Sequence, residues 1–452
     1  MSKVIKIPKG LDVHLFGKAS GEIRPIGASS YVLKPLDNIG CTPKLLVDVG
    51  DKVHIGSPIY YIKQNQQVKF TSPVSGNVKE IRRGAKRVIL EIVIEPDNKD
   101  LSIDFNVRPL AEMDSNKIRE QLLESGLWTF LRQRPYSVIP KPTDTPKYVI
   151  IKGFDSAPLA LDYNLVAKGQ KAALQLGVDV LKKMLDVPLY LCLNKQLDCN
   201  ELKTLSNVET YVFEGKHPYG NVSVMSSRIG VLNKGERIWY LDLQDLLAIG
   251  KFFLEGKYYS KKIIAFCGQE VLNPSYYLVT RGCNISEMVK DNVKQEHHLR
   301  FISGNVLTGT KIEPDGYLGY YDNQITVIEE GDYKESLGWM MPELKRFSIS
   351  RTFLKGFTAF CSKKPVRIDS NLHGSQRAFV FTGNFEKVMP LDIYPMQLIK
   401  ACLAKDIDKM EELGIYEVDS EDFALCEVID VSKTNIQQIV ADGLELMRKE
   451  GL

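Results

Sequence analysis

Apolar and polar positions alternate with a period of two through Val47, Val49, Val53 and Ile55, as in strands that bury one face. Gly50, Gly56 and Gly76 punctuate the same stretch and predict tight turns, where a residue without Cβ reaches positive φ. Residues 47–93 therefore read as a small β unit. Its hairpin tip is expected at Gln64, Asn65, Gln66 and Gln67, followed by Ser72-Pro73-Val74-Ser75-Gly76 and a closing strand. Further on the period changes. Helical spacing predicts a helix over 115–124, ended by Gly126. From Tyr148, short buried strands at 148–151, 189–193, 208–213 and 238–241 alternate with helical stretches at 165–185, 201–205 and 243–254. Strand and helix in alternation predict a mostly parallel sheet.

The glycine-punctuated β unit resembles biotinyl and lipoyl carrier domains, which are flattened barrel-sandwiches. A carrier needs a modified lysine at the hairpin tip. Here glutamines fill the expected tip and Lys63 and Lys69 stand at its shoulders, so the barrel is expected to be a rigid scaffold and not a swinging arm.

The sheet region is Rossmann-like in outline. Its first turn reads Ile151-Lys152-Gly153-Phe154-Asp155, without the G-x-G-x-x-G fingerprint, so dinucleotide binding is not expected there. A third unit begins near Lys262. Its Gly304 to Lys311 stretch, GNVLTGTK, approaches a phosphate-binding loop, but Thr310 precedes Lys311. The motif needs the reverse order, so a turn in a β-grasp unit is the reading. Trp339, Met340, Met341 and Pro342 read as core or interface. Helical spacing returns at 396–405, 407–413 and 436–449, with Gly414 as a stop. The expected layout is an arm and barrel at 1–98, a Rossmann-like α/β domain at 99–258, a β-grasp domain at 259–330, and a linker with a C-terminal helical domain at 331–452.

Length and composition agree with several globular domains: 452 residues, 44% hydrophobic and 25% charged. A net charge of +3 leaves no nucleic-acid footprint. Apolar runs are too short to span a membrane, and the first eleven residues do not read as a signal peptide. A cytoplasmic protein, linked to a membrane through a partner, is expected. None of the eight cysteines forms a CxxC pair, so no iron–sulfur or zinc shell is expected. His297 and His298 adjoin, which on a helix points them apart.

Six spaced motifs carry a wider resemblance. They are Ile5-Lys6-Ile7-Pro8-Lys9-Gly10-Leu11-Asp12, Arg83-Gly84-Ala85-Lys86-Arg87-Val88, Gly126-Leu127-Trp128-Thr129 with Arg132-Gln133-Arg134-Pro135, Pro158-Leu159-Ala160, Gly215-Lys216-His217-Pro218-Tyr219-Gly220, and Ile302-Ser303-Gly304-Asn305-Val306-Leu307-Thr308-Gly309. In this order they resemble the A-type subunits of the sodium-translocating NADH:quinone oxidoreductases, which are six-subunit membrane complexes. The family is similar to the iron–sulfur subunit of the Rnf complex, a ferredoxin:NAD oxidoreductase. Those relatives carry C-terminal cysteine clusters, whereas this chain has Tyr394-Pro395, a lone Cys426, and Ile429, Asp430 and Ser432 at the corresponding places. The resemblance implies a peripheral subunit on the cytoplasmic face of the bacterial inner membrane. It would bind no redox cofactor, lean on a membrane-embedded partner, and leave flavins and an iron–sulfur centre to other subunits.

Within that family the substrate to place is quinone. It needs apolar walls and donors for carbonyl oxygens that gain charge on reduction. Trp128, Phe130 and Tyr136 supply walls, and Arg132 and Arg134 supply permanent charge. Asp37, in the loop 34–41, is a candidate proton acceptor. The competing expectation is that the aromatics are interface core and the arginines pair with carboxylates, which leaves a purely structural docking subunit with no ligand. His217 is expected to fix a turn by hydrogen bonding.

Overall fold

The computed structural model describes residues 3–333 and 365–451. The Trp339-Met340-Met341-Pro342 cluster lies outside the described residues. The barrel consists of two small antiparallel sheets. One orders Tyr31–Leu33, Ile89–Pro96, Gly76–Arg83 and Lys52–Val53, and the other orders Pro43–Leu45, Pro58–Ile62 and Asn65–Thr71. Their inward residues, among them Tyr60, Phe70, Val78, Ile92 and Ile94, share one core, and the Tyr60 and Phe70 rings stack at 4.5 Å.

The hairpin tip lies earlier than the polar run implies. Ile62 pairs with Asn65, so the turn residues are Lys63 and Gln64, while Asn65, Gln66 and Gln67 already belong to the return strand. Lys63 is thus in the turn and not at a shoulder. A register shift beside Tyr61 sets this pairing, which composition alone does not reveal. The turn is tied to the loop beside it: Lys63 N–H donates to Thr42 O at 2.8 Å and Gln64 Nε2 to Thr42 Oγ1 at 3.0 Å.

Residues 3–27 leave the barrel altogether. Lys3–Lys6 runs parallel beside Glu209–Glu214, and Ile23–Pro25 runs parallel beside Ser275–Thr280. The arm covers the edge of two other sheets, where unpaired backbone groups would otherwise remain. It crosses close to the 215–220 turn, where a Cβ on Gly10 would overlap His217 O.

The central sheet orders Lys3–Lys6, Glu209–Glu214, Leu189–Asn194, Val149–Lys152, Ile238–Asp242 and Arg132–Arg134. Its first five strands are parallel and Arg132–Arg134 is antiparallel. Both faces are covered, so the strands read as continuous apolar runs. Val149, Ile151 and Leu191 point to the face that carries helices Lys171–Leu185 and Leu243–Glu255. Ile150, Cys192 and Phe213 point to the other face, which Val222–Ile229 and the C-terminal helices close. The predicted 165–185 helix is broken into Tyr163–Ala167 and Lys171–Leu185 at Gly169, which has φ +71°.

In the third unit, Lys261–Cys267 and Ser275–Thr280 form a hairpin, and Gln324–Glu329 returns parallel to the first of them. Leu299–Ser303 and Thr310–Ile312 complete the sheet. The GNVLTGTK stretch forms the loop between these last two strands, and its final Thr310 and Lys311 already stand in the second strand, where a phosphate-binding loop would start a helix. The C-terminal helices Pro395–Ala404, Ile407–Glu412, Ala424–Ile429 and Ile436–Lys449 pack around Met396, Cys402, Met410, Cys426 and Met447. Asp430 accepts from Ser432 N at 3.1 Å and Thr434 N at 2.8 Å, forming a hydrogen-bonded turn.

A charged cavity at the carboxyl edge of the sheet

From Val149–Lys152 the chain proceeds to Leu189–Asn194 on one side, then crosses to Ile238–Asp242 on the other. Connections that diverge between neighbouring parallel strands leave a crevice at their carboxyl ends. A cavity of about 180 Å³ sits there, lined by Phe130, Arg132, Lys152, Tyr163, Asp242 and Tyr321 among others. The α/β unit supplies most of the wall, the β-grasp unit adds Tyr321 to Gln324, and Glu421 of the C-terminal unit closes it.

The six residues singled out in the sequence separate here. Arg132 and Phe130 line the cavity. Arg132 stands in an edge strand, and its guanidinium stacks 4.5 Å from the Tyr321 ring centre and 5.4 Å from that of Tyr240. Among the described residues its one side-chain hydrogen bond is to Ser137 O at 3.2 Å, which leaves most of its donors open there. Phe130 is fully buried, with the Arg281 guanidinium 4.1 Å above its ring; Arg281 in turn pairs with Asp245 at 2.5 Å.

Trp128 faces elsewhere. It is core, edge-on to Trp239 at 5.5 Å, with Nε1 donating to Pro140 O at 2.9 Å. Arg134 is buried and consumed by ion pairs with Asp419 and, at 2.6 Å, Glu421. Tyr136 is half-buried against the C-terminal unit, and burial pushes its hydroxyl up to about 12. Arg132 and Arg134, two apart in the strand, share one face, and both guanidiniums stand over the Tyr240 ring, at 5.4 Å and 5.2 Å. Their partners split them, since Asp419 and Glu421 of the C-terminal unit hold Arg134 while Arg132 lines the cavity.

Asp37 joins the same region through the tyrosines. Its Oδ2 accepts from Tyr320 N at 2.9 Å. The Tyr321 hydroxyl lies within hydrogen-bond distance of Asn38 Oδ1, at 2.8 Å, and of Thr129 O, at 2.9 Å. Burial drives the Asp37 carboxyl up to about 6, against the opposing pull of the Tyr320 amide.

The remaining lining was missed in the sequence. Lys152 Nζ pairs with Asp155 at 2.9 Å. Burial works against the Lys152 charge, but the surrounding carboxylates, Asp155 first and then Glu421 and Asp242, together outweigh it and raise its pKa. The Tyr163 hydroxyl donates to Asp242 at 2.5 Å; burial, then the charge of Asp245, raises the Asp242 carboxyl. The available signal was position: Lys152 and Asp242 each end a sheet strand, and ligands gather beyond strand carboxyl ends.

A larger open groove of about 570 Å³ runs along the same edge past Asp12, Ser156, Asp162, Asn194 and Tyr219. It is poorly made for phosphate. Asp155 accepts from Ala157 N at 2.8 Å, and Asp162 caps Tyr163–Ala167 through Asn164 N at 3.0 Å, so carboxylates hold the amides that an anion would use. His217 lies buried nearby, bonded to Ser156 Oγ at 3.0 Å, and burial holds its pKa below the usual value.

Barrel-sandwich, doubly covered α/β sheet, β-grasp sheet and helical cap define a multi-unit α/β protein. Among the described residues no helix is long and apolar enough to cross a membrane. Residues 5–97 match the model of the NqrA N-terminal barrel-sandwich hybrid domain, residues 113–258 the NqrA second alpha/beta domain, and residues 263–313 the NQRA C-terminal domain. The A-type subunit of the Na(+)-translocating NADH-quinone reductase of Vibrio vulnificus is 36% identical over 99% of this chain and 100% of its own length. Its counterpart in Pasteurella multocida is 34% identical and that in Haemophilus influenzae 35% identical, at the same coverage. The NAD+-reducing [NiFe]-hydrogenase is a loose structural neighbour, at TM-score 0.41 and 12% identity over 76% of this chain and 62% of its own. This chain belongs to the NqrA family of the Na(+)-translocating NADH-quinone reductases, and is a subunit of that oxidoreductase complex.

Proposed function

We propose that this subunit, docked peripherally on the cytoplasmic face against a membrane-embedded partner, helps to form or gate the quinone site. Flavins and an iron–sulfur centre on partner subunits carry the electrons, and this chain supplies no cofactor. The observation that carries the reading is Arg132, a permanent cation held between two tyrosine faces at a cavity wall, with most of its donors open among the described residues. Such a group stabilises charge on a quinone carbonyl oxygen without moving a proton. The cavity is small beside the roughly 300 Å³ of pockets that enclose a drug-sized ligand, so it takes the ring alone and the isoprenoid tail lies outside.

A purely structural role also has an observation behind it: Lys152 pairs with Asp155, Tyr163 with Asp242, and Arg281 with Asp245. Equilibrium titration of the full chain with a short-tailed quinone analogue separates the two. Saturable binding weakened by Arg132→Ala supports the quinone site. No binding, or binding indifferent to Arg132, leaves the structural role.

A further inference from the structure

One end of the barrel presents a turn whose chemistry opposes its geometry. Gly76–Arg83 and Ile89–Pro96, eight residues each, are the longest described strands. The turn between them places Lys86 at φ 53° and Arg87 at φ 61°. Two consecutive left-handed residues are the setting in which Asn-Gly is favoured. The chain fills it with Lys-Arg. Both residues are exposed, and neither side chain has a hydrogen-bond or ion-pair partner among the described residues. Arg82, by contrast, is paired with Glu80 at 2.9 Å and Glu91 at 2.8 Å. From Ile81 to Leu90 there are four basic residues and no carboxylate. A strained turn kept basic and unpaired points to an anionic partner.

The flanks are apolar. Val88 is 43% and Leu90 38% exposed. Beside them runs the loop after Tyr31–Leu33: Leu33 pairs with Ile92, Lys34 Nζ lies 3.8 Å from Glu91, and the turn Pro35–Asp37 packs on Ile89–Pro96. That loop exposes Leu36 at 60% and Ile39 at 45%. Aliphatic side chains standing singly around a narrow basic hairpin form no groove for a folded partner. They suit a deformable surface with anionic groups outside and hydrocarbon beneath. The complex translocates sodium, so such a surface is at hand.

We infer that this end of the barrel is a lipid-surface contact. Lys86, Arg87 and Arg83 engage anionic headgroups, and Val88, Leu90, Leu36 and Ile39 enter the interfacial layer. The contact is independent of where quinone binds.

The test is co-sedimentation of the full chain with vesicles of phosphatidylcholine alone or mixed with phosphatidylglycerol. The wild-type chain partitions onto the mixed vesicles only, and high salt releases it. Lys86→Asn with Arg87→Gly suits the turn, so the fold is kept or stabilised, yet partitioning falls roughly thirtyfold, about fivefold for each basic group removed. Val88→Ser with Leu90→Ser weakens binding on its own at low salt. No binding to the mixed vesicles, or equal binding by wild type and the Asn-Gly variant, overturns the inference. So does loss of assembly with the membrane subunits by a variant whose parent does not bind vesicles, which assigns the turn to a protein partner.

Discussion

The Arg132 guanidinium and the Tyr321 ring stack at 4.5 Å across the junction of the α/β and β-grasp units. The contact fixes a charge at the mouth of a cavity and couples that charge to the packing of two units. Tyr321 also reaches Asn38 of the barrel and Thr129 of the turn ahead of Arg132. Any movement of the β-grasp unit therefore moves the face on which Arg132 rests.

Arg132→Ala should weaken quinone-analogue binding by about tenfold, in line with the roughly 1.5 kcal/mol of a charge-assisted hydrogen bond. Arg132→Lys keeps the charge and loses the flat stacking surface, so it should fall between. In the assembled complex both variants should lower quinone reduction and spare NADH oxidation by an artificial acceptor. Equal loss of both activities would place Arg132 outside quinone chemistry.

Arg134→Ala should act on stability instead. It strands Asp419 and Glu421 beside a buried strand, and removing one partner of a buried ion pair costs about 3–5 kcal/mol; the partial exposure of Glu421 favours the lower end. Denaturant unfolding should show the loss, and proteolysis should find the C-terminal unit loosened from the sheet. Unchanged stability with impaired quinone binding would reverse the roles of the two arginines.

Apolar runs at 148–151, 189–193 and 238–241 made the parallel sheet legible, because strands covered on both faces leave uninterrupted hydrophobic stretches. The helix Ile436–Lys449 was legible too, from its apolar spacing. The arm was not, since Lys3–Lys6 completes a sheet whose neighbouring strand is some 200 residues away, and nothing local encodes that pairing. Lys63 was misplaced because a bulge shifts register without a sequence mark. In the site, residue type pointed to Arg132 and Arg134 alike. Only the long-range placement of Asp419 and Glu421 beside Arg134 shows that Arg132 is the one left to line the cavity.

Two helices on one face of the sheet cross at glycines. A Cβ on Gly250 would overlap Ala173 O, and one on Gly177 would stand 2.6 Å from Leu246 O. Gly250→Ala gains helix propensity, worth about 1 kcal/mol at most, yet forces Lys171–Leu185 away. Overpacking of about 1–3 kcal/mol or more should win. Thermal unfolding should therefore report a lower midpoint for Gly250→Ala, and a raised midpoint would refute the close crossing.

Asp37 should leave a signature in the pH dependence of stability. Its folded carboxyl titrates at about 6 against an ordinary 3.8, chiefly because burial disfavours the charge. The folded state thus holds this proton more tightly than the unfolded chain does. The stabilisation is fully present below 3.8 and is lost as pH rises through 6, after which the buried carboxylate remains a constant penalty. The interval corresponds to at most roughly 3 kcal/mol, since Asp37 keeps some exposure. Asp37→Asn retains an oxygen to accept from Tyr320 N and removes the charge. Relative to wild type it should gain stability steadily between pH 4 and pH 6 and hold the gain at pH 8, in urea unfolding followed at each pH. A difference that does not vary with pH would show that Asp37 is solvated in the folded chain, and would remove it as a proton acceptor with a raised pKa beside the Tyr320 amide.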